Sequence, residues 1–208
     1  LKGIDLKYLL SDFYENCILN SYSYDWSHCN SLDVRNDNVL ISSKNLSSII
    51  SIKNIYETPE VQYILGPKAM YKDTSLYDKV YDRAWDFEPH LCQHCAFYID
   101  DNTIGIYNNF SLETIGGQMQ LYPQNYINQW SESPEKDKSF YYSYSLDPND
   151  KTYQLINSIA LPKSIVMSSS SIKASQILNA SSLSKYFGEY SANGAVLKNY
   201  TTDTVFYR

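Results

Sequence analysis

The feature that most constrains this chain is its division into one amphipathic stretch and a long remainder of short alternating runs. In Leu1–Asn20 the apolar residues Leu6, Leu9, Leu10, Phe13, Cys17 and Ile18 recur at three- and four-residue steps. That spacing marks one face of a helix. Lys2, Asp5, Lys7, Asp12, Glu15 and Asn16 lie mostly off that face. No N-cap residue precedes Lys2, so the visible start reads as the lower half of a longer helix. After Asn20 nearly everything reads as strands and loops. A single helix followed by a β-rich body must lay its apolar stripe on a sheet. The expected fold is therefore α+β: an N-terminal amphipathic helix packed on an antiparallel sheet, with β-rich insertions. Residues 1–208 form one domain, with the helix over 1–20 and the β-rich body over 21–208.

The turn chemistry divides the body into segments. Asn38–Ser43 and Ser48–Ile55 read as strands joined by Lys44-Asn45-Leu46-Ser47, and Val61–Leu65 as a third strand ended by Gly66-Pro67. Thr74–Asp86 reads as a second helix, with Tyr77, Tyr81 and Trp85 on one side and Asp78, Asp82 and Asp86 beside them. Ala96–Ile99 and Thr103–Tyr107 make a hairpin around Asp100-Asp101-Asn102. Gln118–Tyr122, Ser139–Leu146 and Tyr153–Ile159 are further strands, the last two joined by Asp147-Pro148-Asn149-Asp150. Ile165–Met167 continues the β character. Ser168–Ser171 reads as a loop, Ala174–Phe187 as a short helix, and Thr204–Tyr207 as the closing strand. No internal repeat stands out.

Composition narrows the function classes. The chain of 208 residues carries a net charge of −6. That balance argues against nucleic acid, which needs a basic patch to neutralise phosphates. The 21 tyrosines suit half-buried sheet faces and contact surfaces. No apolar run is long enough to span a bilayer. The four cysteines, Cys17, Cys29, Cys92 and Cys95, point to disulfides and an oxidising compartment. Three pairings are open; Cys17–Cys29 with Cys92–Cys95 is the one favoured. Asn45, Asn109, Asn179 and Asn199 each open an acceptor pattern for glycosylation, a match that so Asn- and Ser-rich a chain produces by chance.

Phosphate loops, dinucleotide fingerprints, zinc-protease motifs and nucleophile elbows are absent. The one dense constellation is His90-Leu91-Cys92-Gln93-His94-Cys95, with His28-Cys29 upstream. Thiolate and imidazole together suit zinc, and Cys92-Gln-His-Cys95 has the spacing of a redox motif. The ligand pairing of a structural zinc site is missing, however, and a strand follows where a redox motif needs a helix. His90, Cys92, His94 and Cys95 therefore stand as an alternative metal set, and disulfides as the main reading. Asp147, Asn149 and Asp150 offer oxygen ligands for calcium, but read first as a turn.

Two stretches carry a family resemblance. Tyr141-Tyr-Ser-Tyr-Ser-Leu-Asp147-Pro-Asn-Asp150, followed by Ile156-Asn-Ser-Ile159-Ala-Leu-Pro-Lys-Ser-Ile165-Val-Met, is similar to the late tyrosine-rich strand and turn of PilW-type minor pilins. Tyr200-Thr-Thr-Asp-Thr-Val-Phe-Tyr-Arg208 resembles their closing strand, and Leu9-Leu-Ser-Asp-Phe13…Cys17 fits the end of their helix. The resemblance implies a periplasmic or cell-surface subunit of a type IV pilus or secretion pseudopilus that primes or caps the fibre and is not an enzyme. Leu6, Leu9, Leu10 and Phe13 would pack on the subunit's own sheet. Other pilin subunits would meet the helix and the aromatic loops, and a missing N-terminal segment would sit in the inner membrane. No catalytic residue and no cofactor is implied. A secreted or viral surface adhesin or capsid-like β domain is the alternative. A small zinc or thiol-redox protein using Cys92 and Cys95 is third.

Overall fold

The computed structural model describes residues 27–72, 74–111, 124–165, 168–173 and 175–205. The Leu1–Asn20 helix, its Leu6, Leu9, Leu10 and Phe13 face, Cys17 and the Gln118–Tyr122 strand lie outside them. The described chain is nearly all β, not α+β. Thirteen strands form three sheets, accompanied by one helix and two short 3-10 turns, Lys68–Tyr71 and Tyr77–Lys79.

The first sheet is an antiparallel meander of β1 (Cys29–Arg35), β2 (Asn38–Ser43), β3 (Ser48–Lys53) and β4 (Glu60–Leu65). The second contains β6 (His94–Tyr98), β7 (Thr103–Asn108), β8 (Lys138–Asp147) and β9 (Thr152–Pro162), with the two-residue β5 (Asp82–Arg83) lying parallel on β9. The third is a meander of β10 (Ser169–Lys173), β11 (Gln176–Ser181), β12 (Tyr186–Ser191) and β13 (Val196–Thr201). The helix α1 (Gln124–Glu132) lies between β7 and β8 in the chain. Three similar meanders in sequence constitute a structural repeat that the sequence does not announce. Their tight connections share one backbone device. The four-residue connections 44–47, 148–151 and 182–185 each end on a left-handed residue, Ser47 (φ 43), Lys151 (φ 52) and Lys185 (φ 54).

Layering follows from the alternation of side chains along β8. Phe140, Tyr142, Tyr144 and Leu146 point to one face and join Leu40, Ile49, Tyr63 and Leu65 of the first sheet. Tyr141 points the other way and joins Ile177 and Tyr190 of the third sheet. The tyrosines thus fill two cores, with neighbouring rings offset or edge-on, as at Tyr144–Tyr153, where centroids are 5.2 Å apart at 82°. Gly105 is required where Phe97 crosses β7, because a Cβ there would lie 2.5 Å from the ring. The first sheet's outer face carries its own core of Val39, Ile50, Ile52 and Ile64 under Tyr71 and Val80.

Several expectations are corrected. The Thr74–Asp86 helix does not form, because the backbone over Tyr81–Ala84 is drawn to the sheet edges. Tyr81 N–H donates to Ile64 O, Asp82 N–H to Lys151 O and Ala84 N–H to Tyr153 O. Ser168–Ser171 is mostly strand β10, whose small side chains fit a buried position: Ser170 is sealed and its hydroxyl bonds Asn179. Ala174–Phe187 supplies β11 and the start of β12, not a helix. Thr204 and Val205 lie outside any strand, and the last strand among the described residues is Val196–Thr201. Of the acceptor asparagines, Asn45, Asn109 and Asn179 are buried and closed to a glycan; Asn199 is exposed. At Asp147-Pro-Asn-Asp150 the Asp147 carboxylate accepts the N–H groups of Asn149 and Asp150, so it closes a turn.

One cation ties the second sheet to the helical connection. Lys163 Nζ donates to the carbonyls of Phe110 (2.8 Å), Lys136 (2.6 Å), Asn109 (3.3 Å) and Lys138 (3.3 Å). Trp130 Nε1 donates to the same Phe110 O, which anchors α1. Replacing the ammonium strips several carbonyls of a partner at once. Lys163→Met is expected to lower unfolding stability by about 2–4 kcal/mol in urea titration; an unchanged midpoint would contradict the role given to this residue.

Candidate functional site

The segment His90–Cys95 is held from both sides. Gln93 is fully buried, and its Nε2 donates to Ser48 O (2.9 Å), Ser43 O (3.2 Å) and Ser42 Oγ (3.2 Å) of the first sheet. Gln93 O accepts from Asn30 Nδ2 at 2.8 Å. Cys92 N–H donates to Ser47 Oγ, and Leu91 N–H to Asn108 Oδ1. Asn109 Nδ2 donates to Cys92 O. His90 is sealed between Leu65 O and Tyr144 Oη, 3.2 Å from each. Every one of these partners belongs to, or adjoins, a sheet, so the segment has little freedom.

This anchoring delivers His94 to the start of β6, beside His28 at the start of β1. The two rings have centroids 6.4 Å apart. Each His-Cys dipeptide is followed by an irregularity in its strand, between Cys29 and Ser31 in β1 and between His94 and Phe97 in β6. Such bulges re-aim side chains where a strand begins. His28 (φ 43) and Cys95 (φ 56) take the left-handed backbone that accompanies the bend. The third sheet reaches the same end: Cys95 Sγ donates to Ser170 O of β10 at 3.1 Å. Asn109 Nδ2 bridges Cys92 O and Ile165 O, just ahead of β10. The first strands of all three sheets thus meet at one end.

The electrostatics there are distinctive. Lys44, in the loop between β2 and β3, is buried with only 1% of its surface exposed. His94 is pushed down to about 3, first by burial and then by the charges of Lys44 and His28. It is a neutral imidazole at ordinary pH, and its buried Nε2 has no hydrogen-bond partner. A buried polar atom left without a partner is costly in a folded chain, which makes it a pointer to a ligand. His90 is held down at about 4 by burial, against the opposing pull of Leu65 O. It has both ring nitrogens engaged and reads as structural.

The sequence-flagged residues are therefore divided. The structure brings His28 and His94 together, while His90 belongs to the core. Cys29, Cys92 and Cys95 are present as thiols, so the Cys92–Cys95 pairing is not formed, and Cys17 lies outside the described residues. Cys92 N–H and O are committed to opposite sheets, and Cys95 Sγ turns toward β10. Among the described residues no three His, Cys, Asp or Glu side chains converge to hold a metal, so the His90, Cys92, His94 and Cys95 set is not a centre. Lys44 stands in a segment of turn composition, and nothing local in the sequence signals its burial.

A family model, Arylsulfotransferase (ASST), matches residues 4–205. The chain belongs to the arylsulfotransferase family. No curated protein matches it. Among solved structures it is similar to a putative 6-phosphogluconolactonase from Bacteroides fragilis NCTC 9343, at 9% identity and a TM-score of 0.49, covering 86% of this chain and 40% of that one. The periplasmic gluconolactonase PpgL of Pseudomonas aeruginosa matches at 8% identity and TM-score 0.43, covering 83% and 38%. A hypothetical selenium-binding protein from Sulfolobus tokodaii matches at 10% and 0.37, covering 86% and 31%. This chain spans two fifths or less of each of these proteins.

The family match overturns the pilin reading and the expectation that the chain is not an enzyme. The quoted stretches have other origins. Tyr141–Asp147 is the tyrosine-rich β8, serving two cores, and Tyr200–Val205 runs out of an edge strand. Tyrosine-rich strands and Thr-rich ends follow from β packing in general and do not discriminate between families.

The buried histidines set a pH dependence. His90 favours the neutral form in the fold, so the folded state binds fewer protons than the unfolded chain between about pH 6.5 and 4. Stability is full above about pH 6.5 and falls as the pH drops toward 4, by about 3 kcal/mol from His90 alone. Denaturant unfolding across that range should show the loss, and His90→Gln should flatten it; an identical slope in the variant would refute the assignment.

Proposed function

We propose that this chain carries sulfuryl transfer from an aryl sulfate to a phenolic acceptor, with the sulfate ester bound where β1 and β6 begin. The observation that carries the site is the buried, unpartnered Nε2 of His94 beside His28. The family match supports the chemistry. A sulfate ester presents three anionic or polar oxygens and needs donors and positive charge around them. His94 and His28 supply ring nitrogens, and Lys44 supplies positive charge that acts on the same spot, as its effect on His94 records. In a water-poor site such groups stabilise charge far more than they would in solution.

In the reaction the bond between sulfur and the donor's phenolic oxygen breaks, and a new bond forms to the acceptor's oxygen. The acceptor hydroxyl loses a proton and the departing phenolate gains one. The two imidazoles hydrogen-bond the moving group, and Lys44 offsets its charge in the transition state.

Release of a chromogenic phenol from an aryl sulfate, with excess phenolic acceptor, measures the activity. His94→Gln and His28→Gln should each lower turnover by about a hundredfold, with folding checked by circular dichroism. A folded wild-type chain without transfer, or folded variants with unchanged turnover, would overturn the proposal.

A further inference from the structure

We propose that Asn109 is a positioning residue of the transfer site: its buried amide clamps Cys92 and so fixes where His94 stands relative to Lys44. The inference rests on the sulfuryl-transfer reading of that site. Asn109 directly follows β7 and is fully buried. Its Nδ2 donates to two carbonyls, Cys92 O and Ile165 O. Both partners are acceptors, so the amide must face them with its NH2 side. The backbone carbonyl of Asn109 is fixed in turn by the Ser139 hydroxyl and by the Lys163 ammonium. The residue that holds the clamp is thus itself held.

The clamp acts on a strained point of the backbone. Cys92 takes the left-handed region, φ 49, although it is not glycine. A residue with a Cβ persists there only where its surroundings over-determine it. They do so from both sides of the residue: Cys92 N–H donates to Ser47 Oγ, and Cys92 O accepts from Asn109. Ser47 is left-handed as well, φ 43, and its N–H donates to Lys44 O. One line of hydrogen bonds therefore runs from Ile165, just ahead of the third sheet, through Asn109 and Cys92 to Ser47 and Lys44 in the first. The neighbouring Asn108 holds the same segment further upstream, at Pro89 O and Leu91 N–H, beside the structural His90. Asn109 is set at the residue from which the chain turns toward His94. When its donors are removed, the strained Cys92 loses a restraint, and the turn that carries His94 changes course.

Asn109 touches no reactant. Its effect reaches the chemistry through the place of the His94 ring, so it falls on turnover more than on substrate binding. A group displaced by about 1 Å by a change remote from the chemistry can lose about a hundredfold in rate. The same geometry gives the Asn109-Phe110-Ser111 pattern a role other than glycan acceptance: the amide nitrogen that a glycan would need is committed inside the fold.

Asn109→Asp tests the inference, because it keeps the size of the side chain and sets a carboxylate against the two carbonyls. Release of a chromogenic phenol from an aryl sulfate gives kcat and KM, and long-range proton–nitrogen spectra of the whole chain report His94 without any substrate. The expected result is a folded variant with kcat lowered about ten- to a hundredfold and KM within about twofold of wild type. The His94 resonances should be displaced while those of His90 stay in place. Asn109→Ser retains one donor and should give the same changes to a smaller degree; it decides the question by the same readouts if the aspartate variant does not fold. Ile177→Ala hollows the core between the second and third sheets without touching this line, and should lower stability while leaving both readouts at their wild-type values. Unmoved His94 resonances or an unchanged kcat in a folded Asn109 variant, or equal losses in Ile177→Ala, would overturn the inference and leave sulfuryl transfer standing. A wild-type chain without transfer would overturn the activity alone, and the His94 resonances would then decide the role of Asn109.

Discussion

The structure turns on a buried amide. Gln93 leaves the second sheet's chain and places its side chain among the carbonyls and hydroxyl of Ser42, Ser43 and Ser48 in the first sheet. The link joins two separate sheets through a completely buried polar group. Leaving such carbonyls unmet is costly, so the amide specifies one docking geometry where apolar packing alone tolerates several. The Asn30 bond to Gln93 O and the Ser47 bond to Cys92 N–H reinforce the same register. The position of His94 follows from it: the residue after Gln93 has no choice but to emerge at the junction of β1 and β6.

Hydrophobic packing supplies the bulk of the driving force but is less particular. The middle sheet is buried on both faces, and β8 serves both through alternating aromatic residues. The aromatic density of Ser139–Leu146 and the turn chemistry of Asp147–Asp150 make β8 and the start of β9 legible in the sequence. The hairpin around Asp100–Asn102 and the strands at Asn38–Ser43 and Val61–Leu65 were legible for the same reason, with turn chemistry marking their ends. The third sheet was not. Its strands are rich in Ser, Asn and Ala, and β13 is exposed along its whole length, so neither apolar alternation nor turn residues stand out. Around Tyr77, Tyr81 and Trp85 the helical spacing was accidental: Tyr81 is buried, whereas Tyr77 and Trp85 face solvent.

The site was half legible. His28, His94 and the neighbouring cysteines were conspicuous as residue types, but a metal or disulfide reading treated them as ligands of one another. What the structure uses is a recurrence: His-Cys stands at the start of the first strand of two successive sheets, 28–29 and 94–95. That signal was present in the sequence and depended on seeing the sheets as repeats. Lys44 could not be found this way. It lies in a four-residue connection of turn composition, and its burial has no local signature in the sequence. The same limitation misled the family reading, since tyrosine-rich strands and Thr-rich ends describe β packing in general.

The central claim is that the fold holds His94 as a neutral imidazole whose Nε2 is kept for a guest. Long-range proton–nitrogen spectra of the histidine side chains, recorded on the ligand-free chain from pH 5 to 8, test it most directly. The account predicts that the His94 resonances stay those of a neutral ring throughout, and that they shift when an aryl sulfate is added. A His94 that titrates near pH 6.5 in the free chain, and whose signals ignore the aryl sulfate, would contradict it.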